Sequence, residues 1–299
     1  MPAGSFVVKN DVAIQSALGG LLSKWHVPVV GVDSIQGLKL TSLKNPRIGL
    51  YRSWQANADE GWLRYEFDDF GIPFITLRNN DIKEAKATGL ASKIDVLVLA
   101  SENPDVIVNG QTGARGGPLP PEYEGGIGRE GVEAIRNFVD EGGILLTLNE
   151  ACRLAFREFD VPARDALQGV ENTKFFLPNS IVKIKVDPDT PIGFGMPSDS
   201  AVMFSGSIVM ETSLPPSGNL DRKIIATFPE DNQLLSGWLI GGERMARKAA
   251  VVDVRRGKGH IILIGVRTQF RAQSHGTYKF LLNSLLYAAP TEAAGMPAQ

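Results

Sequence analysis

The feature that most constrains this chain is one apolar strand that runs into a helix through a two-residue corner. Gly142-Gly143 is followed by Ile144-Leu145-Leu146-Thr147-Leu148, a run with no charge and no polar alternation. A continuous apolar run bounded by turn residues reads as a strand covered on both faces, as parallel strands under helices are. Asn149-Glu150 then leads into Ala151-Cys152-Arg153-Leu154-Ala155, which opens a helix. In several α/β hydrolytic folds this corner presents the reactive Ser or Cys. Here it presents an amide and a carboxylate, and the chain's one cysteine lies a helical step further on.

The sequence before that corner repeats the same unit. A strand over 47–52 precedes a helix over 59–70, and a strand over 73–77 precedes a helix near 82–90. A third strand over 95–100 leads through a long loop to a helix over 129–141. Strands alternating with helices at this spacing predict an α/β fold with an open parallel sheet flanked by helices. After about Asp160 the texture changes to short apolar runs between Pro, Gly and Asp: 175–177, 181–186, 202–204, 208–210 and 224–228. That predicts a β-rich insertion over about 170–245, made of antiparallel hairpins on the sheet or at its edge. Residues 249–254 and 260–265 pair across a turn at 255–259, and a helix over 277–287 closes the domain. The expected division is an N-terminal β-α-β segment over 1–45, an α/β domain over 46–288 and a disordered tail over 289–299. In the first segment, strands at Phe6–Val8 and Pro28–Val32 flank a helix over 11–25. So early a strand also suggests that Met1 is a cut point inside a longer protein.

Composition excludes more than it assigns. With 31 basic and 33 acidic residues the net charge is −2, so no global field draws the chain to nucleic acid or a membrane. A single cysteine forbids an internal disulfide, and the three histidines are far apart with no His-x-x-Glu spacing. No metal site and no cofactor are expected. No apolar run approaches the ~20 residues of a membrane span, and the first residues lack a basic and apolar leader pattern. The compartment stays open.

In open parallel sheets a ligand sits outside the carboxyl ends of the strands, where the strand order reverses. The polar residues just after each strand are therefore the candidates. Arg52, Trp54, Asn57, Asp59 and Glu60 follow the first strand, and Glu102 follows the third. The loop after Glu102 ends in Glu122-Tyr123-Glu124-Gly125-Gly126-Ile127-Gly128, whose free N–H groups at a helix start suit an anion. Asn149 and Glu150 stand at the corner, and Arg267, Gln269, Arg271, Gln273 and His275 follow the last strand. Glu150, His275 and Glu60 are the acid–base candidates, since a carboxylate with an imidazole can move protons without a covalent step. Arg52, Trp54, Asn57, Glu122, Tyr123, Gly126, Gly128, Asn149, Arg267 and Arg271 are the ligand-binding candidates. The plainer reading stands beside this one: Arg52–Glu60 and Arg271–Glu122 as ion pairs that fix loops, and Cys152 as a small buried hydrophobe.

Four stretches carry a resemblance. They are Arg47-Ile48-Gly49-Leu50-Tyr51 with Asp59-Glu60-Gly61-Trp62, Pro121 to Gly128, Leu235-Ser236-Gly237-Trp238-Leu239, and Gly265 to Thr277. In this order they resemble the C-terminal half of large bacterial zinc carboxypeptidases of the carboxypeptidase A-like family. There a class I glutamine-amidotransferase-like domain follows the peptidase domain. The resemblance implies an amidotransferase-like or flavodoxin-like fold, an exported parent, and a metallopeptidase domain as a linked or associated partner. The peptidase's zinc ligands have no counterpart here. Asn149 stands near the position of the amidotransferase nucleophile, so the triad is broken at its first member. The expectation is a non-catalytic accessory domain, a pseudoenzyme that takes a small-molecule or peptide ligand, with homo-oligomerisation as a further assembly. The alternative is a hydrolase or lyase with a carboxylate–histidine site at the carboxyl edge of the sheet.

Overall fold

The structure is a computed structural model that describes residues 5–26, 28–38, 40, 43, 45–111, 120–214 and 220–287. The chain divides into two compact units, residues 1–42 with 290–299, and residues 43–289. In the first unit α1 (Val12–Trp25) begins at Asp11, whose carboxylate accepts from the Ile14 N–H at 2.9 Å. That satisfies one of the donors a helix start leaves free. The two strands expected around it are not formed. Phe6–Val8 and Pro28–Val32 are irregular, because a lone apolar run has no ladder without a neighbouring strand. The tail over 289–299 lies outside the described residues.

The second unit holds the sheet. Its first half runs β1 (Ile48–Tyr51), α2 (Ala58–Asp69), β2 (Phe74–Leu77), α3 (Asn79–Thr88), β3 (Val96–Leu99), α4 (Pro104–Asn109), α5 (Gly128–Asp140), β4 (Ile144–Leu148) and α6 (Cys152–Glu158). Then come β5 (Ala163–Asp165), β6 (Ser180–Val186), β7 (Asp199–Phe204), β8 (Met210–Thr212), β9 (Leu220–Thr227) and β10 (Leu234–Ser236). The hairpin β11 (Ala249–Arg256) and β12 (Gly259–Ile264) and the helix α7 (Tyr278–Tyr287) complete it.

All twelve strands belong to one sheet, whose main path is β10-β6-β9-β11-β12-β4-β3-β1-β2. From β2 to β12 every pairing is parallel. From β11 outward every pairing on that path is antiparallel. The fold is α/β, an open, mostly parallel sheet flanked by helices, with the β-rich insertion added at one edge of the same sheet. β2 lies on one side of β1 and β3 on the other, so the order reverses between β1 and β3. This is the switch point of a flavodoxin-like order.

Both faces of β1, β3, β4 and β12 are covered, while β2 at the edge is largely exposed. Val96, Val98, Ile144, Leu146, Ile262 and Ile264 share a core with Leu63 and Phe67 of α2 and with Phe280 and Leu281 of α7. The alternate residues Leu97, Leu99, Leu145, Ile261 and Leu263 share the other core with α3, α4, α5 and α6. Two-sided burial is why these strands read as unbroken apolar runs. Each such side chain contributes about 1.5–3 kcal/mol.

Sequence and structure part company at local boundaries. α3 starts ahead of the apolar periodicity because the Asp81 carboxylate accepts from the Arg78 N–H at 2.7 Å and caps it. α4 sits inside the expected long loop, opened by the Asn103 cap and Pro104. Residues 175–177 form no strand; Phe176 makes one isolated bridge to Ile240.

One buried group is at odds with its surroundings. Glu66 of α2 is 1 % exposed, and neither carboxylate oxygen has a hydrogen-bond partner among the described residues. Burial pushes its pKa up to about 8. An acid raised in the folded state contributes stability that is fully present below its unfolded pKa and lost as pH rises through the folded one. Stability should therefore fall between about pH 4.5 and pH 8. The loss should reach several kcal/mol, since each pH step between the two values removes about 1.4 kcal/mol. Glu66→Gln should flatten that slope in urea titrations across the range. An identical slope in the variant would contradict the assignment.

Candidate functional site

The switch point is built from three strand ends. After β1 the chain continues as Arg52-Ser53-Trp54, after β3 as Ser101-Glu102, and after β4 it enters the corner at Asn149. The start of α2 is tied to this edge by Asn57. Its side-chain oxygen accepts from the Asp59 and Glu60 N–H groups at 2.9 and 3.2 Å, and its amide nitrogen donates to the Ser101 carbonyl at 3.0 Å. Asn57 is thus a cap and a strap together. Ser53 Oγ donates to Glu102 Oε1 at 2.5 Å. Burial raises the pKa of Glu102, and Glu60 and Glu150 add repulsion, against the hydrogen bonds from Ser53 and Asn57.

The corner has the geometry expected of a nucleophile elbow. Asn149 takes φ 50°, in the left-handed region, and is 2 % exposed. Asparagine visits that region more readily than most residues, so the sharp turn is tolerable here. Its amide nitrogen donates to Ser101 Oγ at 3.0 Å and to the Gly206 carbonyl at 3.3 Å. Its oxygen is buried and has no partner among the described residues. Cys152 is wholly buried, and burial pushes its thiol up to about 12. Such a sulfur is no nucleophile at neutral pH.

Beside the switch point lies a cationic side. Arg64 Nε pairs with Glu60 at 2.6 Å and Arg52 Nε reaches the same carboxylate at 3.7 Å. Arg78, which ends β2, donates to the Ser53 carbonyl at 2.8 Å and lies 3.9 Å from the Trp54 ring centroid. Trp54 in turn meets Tyr123 edge to face at 4.5 Å. Burial lowers the pKa of Arg78, and the charges of Arg52 and Arg64 lower it further.

The structure gathers Arg52, Trp54, Asn57, Glu60, Tyr123 and Asn149 at this edge and gives the other candidates separate work. Arg267 reaches the Ser205 carbonyl at 2.7 Å and pairs with Asp59, tying the end of β12 to α2. Arg271 is exposed and lies over its neighbour Phe270. Gly126 is buried against the backbone of Ile107 and Val108, and Ile127 N–H donates to the Ile107 carbonyl at 2.8 Å. This turn therefore seats α5 on α4, with Gly128 at the first position of α5. The side chain of Glu122 lies outside the described residues.

Glu150 and His275 have different ion-pair, hydrogen-bond and ring partners among the described residues. Glu150 pairs with Arg153 at 3.5 Å. The His275 ring is 3.0 Å from the Ala272 carbonyl and 5.1 Å from Tyr278, whose ring meets Phe70 just past the end of α2. The reason is the fold of the last loop. Ser274 and Thr277 hydroxyls both donate to the Thr268 carbonyl, which curls 268–277 back toward α7. Among the described residues no group of His, Cys, Asp or Glu is arranged to hold a metal ion. No described helix is long and apolar enough to cross a membrane.

Sequence reasoning missed Arg78, Ser53 and Ser101. Arg78 had a signal, because it closes a strand whose end lies on the same edge. Ser53 and Ser101 had only their place beside strand ends.

No protein-family model matches the chain, and no curated protein matches it. Solved structures resemble it in general build. A cytoplasmic protein from Salmonella typhimurium aligns with TM-score 0.48 and 12% identity over 82% of this chain and 100% of its own. A protein from Thermoplasma acidophilum described as a GMP synthase component gives TM-score 0.46 and 13% identity over 81% and 93%. One from Bacteroides uniformis described as ThuA-like gives 0.42 and 12% over 85% and 93%. At these values the likeness assigns no activity to this chain.

The turn before α5 gives a direct test of the packing. A Cβ at Gly126 would lie 2.3 Å from the Ile107 carbonyl oxygen, which is backbone and cannot step aside. Gly126→Ala should lower unfolding stability by about 1–3 kcal/mol, the usual cost of overpacking. A denaturant midpoint equal to the parent's would refute that role.

Proposed function

We propose that this chain is a non-covalent binding module that works at the β1/β3 switch point, on a fold whose relatives in chemistry use a covalent nucleophile. One observation carries the reading. The strained corner after β4 presents the Asn149 amide, already bonded to Ser101 and Gly206, while the sulfur of Cys152 is sealed in the core. An amide in that place can hold and orient, but it cannot form the acyl intermediate on which such corners depend. The crevice around it supplies what a binding site needs: converging polar groups from several strand ends and a partly exposed aromatic pair, Trp54 and Tyr123.

The four sequence motifs support a carboxypeptidase A-like zinc peptidase as the partner, in one polypeptide or as a complex. In that setting the module holds a small molecule or peptide for, or beside, a separate catalytic domain. The carboxylate–histidine alternative pairs Glu150 or Glu60 with His275; Glu150 is engaged with Arg153, Glu60 with Arg64 and Arg52, and His275 with the Ala272 carbonyl and the Tyr278 ring.

Two measurements test this. Native protein held with a panel of small amides, esters and peptides should leave every compound intact by chromatography. A thermal-shift screen of amino acids, sugars, amines and organic acids should give at least one saturable ligand, weakened threefold or more by Trp54→Ala. Turnover of any panel compound would overturn the reading. Co-elution with a carboxypeptidase A-like domain tests the partner separately.

A further inference from the structure

We infer that the ligand of this module carries an oxyanion, a carboxylate or a phosphate, on a flat apolar body. The acid group pairs with Arg52 and Arg78 and the body lies along Trp54 and Tyr123. The inference rests on the binding-module reading and adds a chemical class to it.

Charge at the edge of the crevice is out of balance. Arg52, Arg64 and Arg78 act electrostatically on one another, and the carboxylate set among them is Glu60. Glu60 is committed to Arg64 at 2.6 Å, which leaves Arg52 a longer contact at 3.7 Å. Arg78 has no ion-pair partner among the described residues; its guanidinium donates to backbone carbonyls of Ser53 and Arg52. The nearby Asp81 carboxylate is engaged with the Arg78 backbone N–H. Glu102, beyond Ser53, is engaged with the Ser53 hydroxyl at 2.5 Å, and burial raises its pKa. Two guanidiniums thus face one another's charge without full compensation, and an anion that bridges them would relieve the repulsion. Guanidinium forks match the planar geometry of a carboxylate or phosphate in two-pronged pairs.

The aromatic side points to the rest of the ligand. Trp54 and Tyr123 are 39 % and 36 % exposed, beside the cations and at the carboxyl edge of the sheet. Arg78 covers Trp54 at 3.9 Å, and Tyr123 meets it edge-on at 4.5 Å. The guanidinium is therefore held in place by a ring before any ligand arrives, and this preorganisation lowers the entropy lost on binding.

The test is calorimetric titration of the whole chain with matched probes: benzoate against benzamide, phenyl phosphate against phenol, and acetate and inorganic phosphate as anions without the ring. Benzoate or phenyl phosphate should bind at least tenfold more tightly than its neutral partner, and more tightly than the bare anion. Arg52→Gln, an exposed change, and Arg78→Gln should each cost tenfold or more, while Trp54→Ala should weaken the ring-bearing probes more than the bare anions. Whether carboxylate or phosphate binds better names the acid. Equal binding of charged and neutral partners would overturn the inference, as would indifference to Arg52→Gln. If sugars or amines bind at this crevice and the anions do not, the inference fails and the binding-module reading stands. If no compound of either panel binds, both fail.

Discussion

The Asn149 side chain is the joint on which this edge of the molecule depends. One amide group holds the corner after β4 to the end of β3, through Ser101 Oγ, and to the inserted β-rich region, through the Gly206 carbonyl. It does so from a left-handed backbone position that only a few residue types accept readily. In a covalent enzyme that position is kept strained so that a reactive atom stands free. Here the same backbone position serves a hydrogen-bonded brace. Asn57 acts in the same way across the switch point, since it caps α2 and straps it to the Ser101 carbonyl. Ser101 therefore receives both straps, one on its carbonyl and one on its hydroxyl.

These two side chains are not alone in organising this edge. β1, β3, β4 and β12 are buried on both faces, so their ends are fixed by two cores as well as by the Asn57 and Asn149 hydrogen bonds. The side chains that point outward from those ends inherit the precision. Glu60 collects Arg64 and Arg52, Trp54 collects Arg78, and Ser53 holds Glu102. Arg52, Arg64 and Arg78 thus gather around Glu60 beside β1 and β2, while Glu102 and Glu150 follow β3 and β4.

Much of this was legible in the sequence, for definable reasons. The run Ile144–Leu148 and its counterpart Val96–Ala100 carry no charge and no polar alternation because both faces are covered, so pattern alone marks them as central parallel strands. The absence of a nucleophile at Asn149 could likewise be read directly, and so could the burial of Cys152. What could not be read was tertiary. Phe6–Val8 and Pro28–Val32 have strand-like composition, but a strand exists only with a partner. Gly126 and Gly128 look like an anion cradle in sequence, whereas Gly126 serves the close approach of α5 to α4. His275 follows the last strand in sequence, yet the hydroxyls of Ser274 and Thr277 turn it toward Tyr278. Arg78 escaped notice because its importance comes from the Trp54 ring, a contact between strands that no local pattern encodes.

The most direct measurement is the intact mass of the native protein after exposure at neutral pH to iodoacetamide and, separately, to a fluorophosphonate. The account predicts an unmodified mass with both reagents, and a single added carbamidomethyl group on Cys152 only after denaturation. A stoichiometric adduct on the folded protein, at Cys152 or at any residue of the corner, would contradict it.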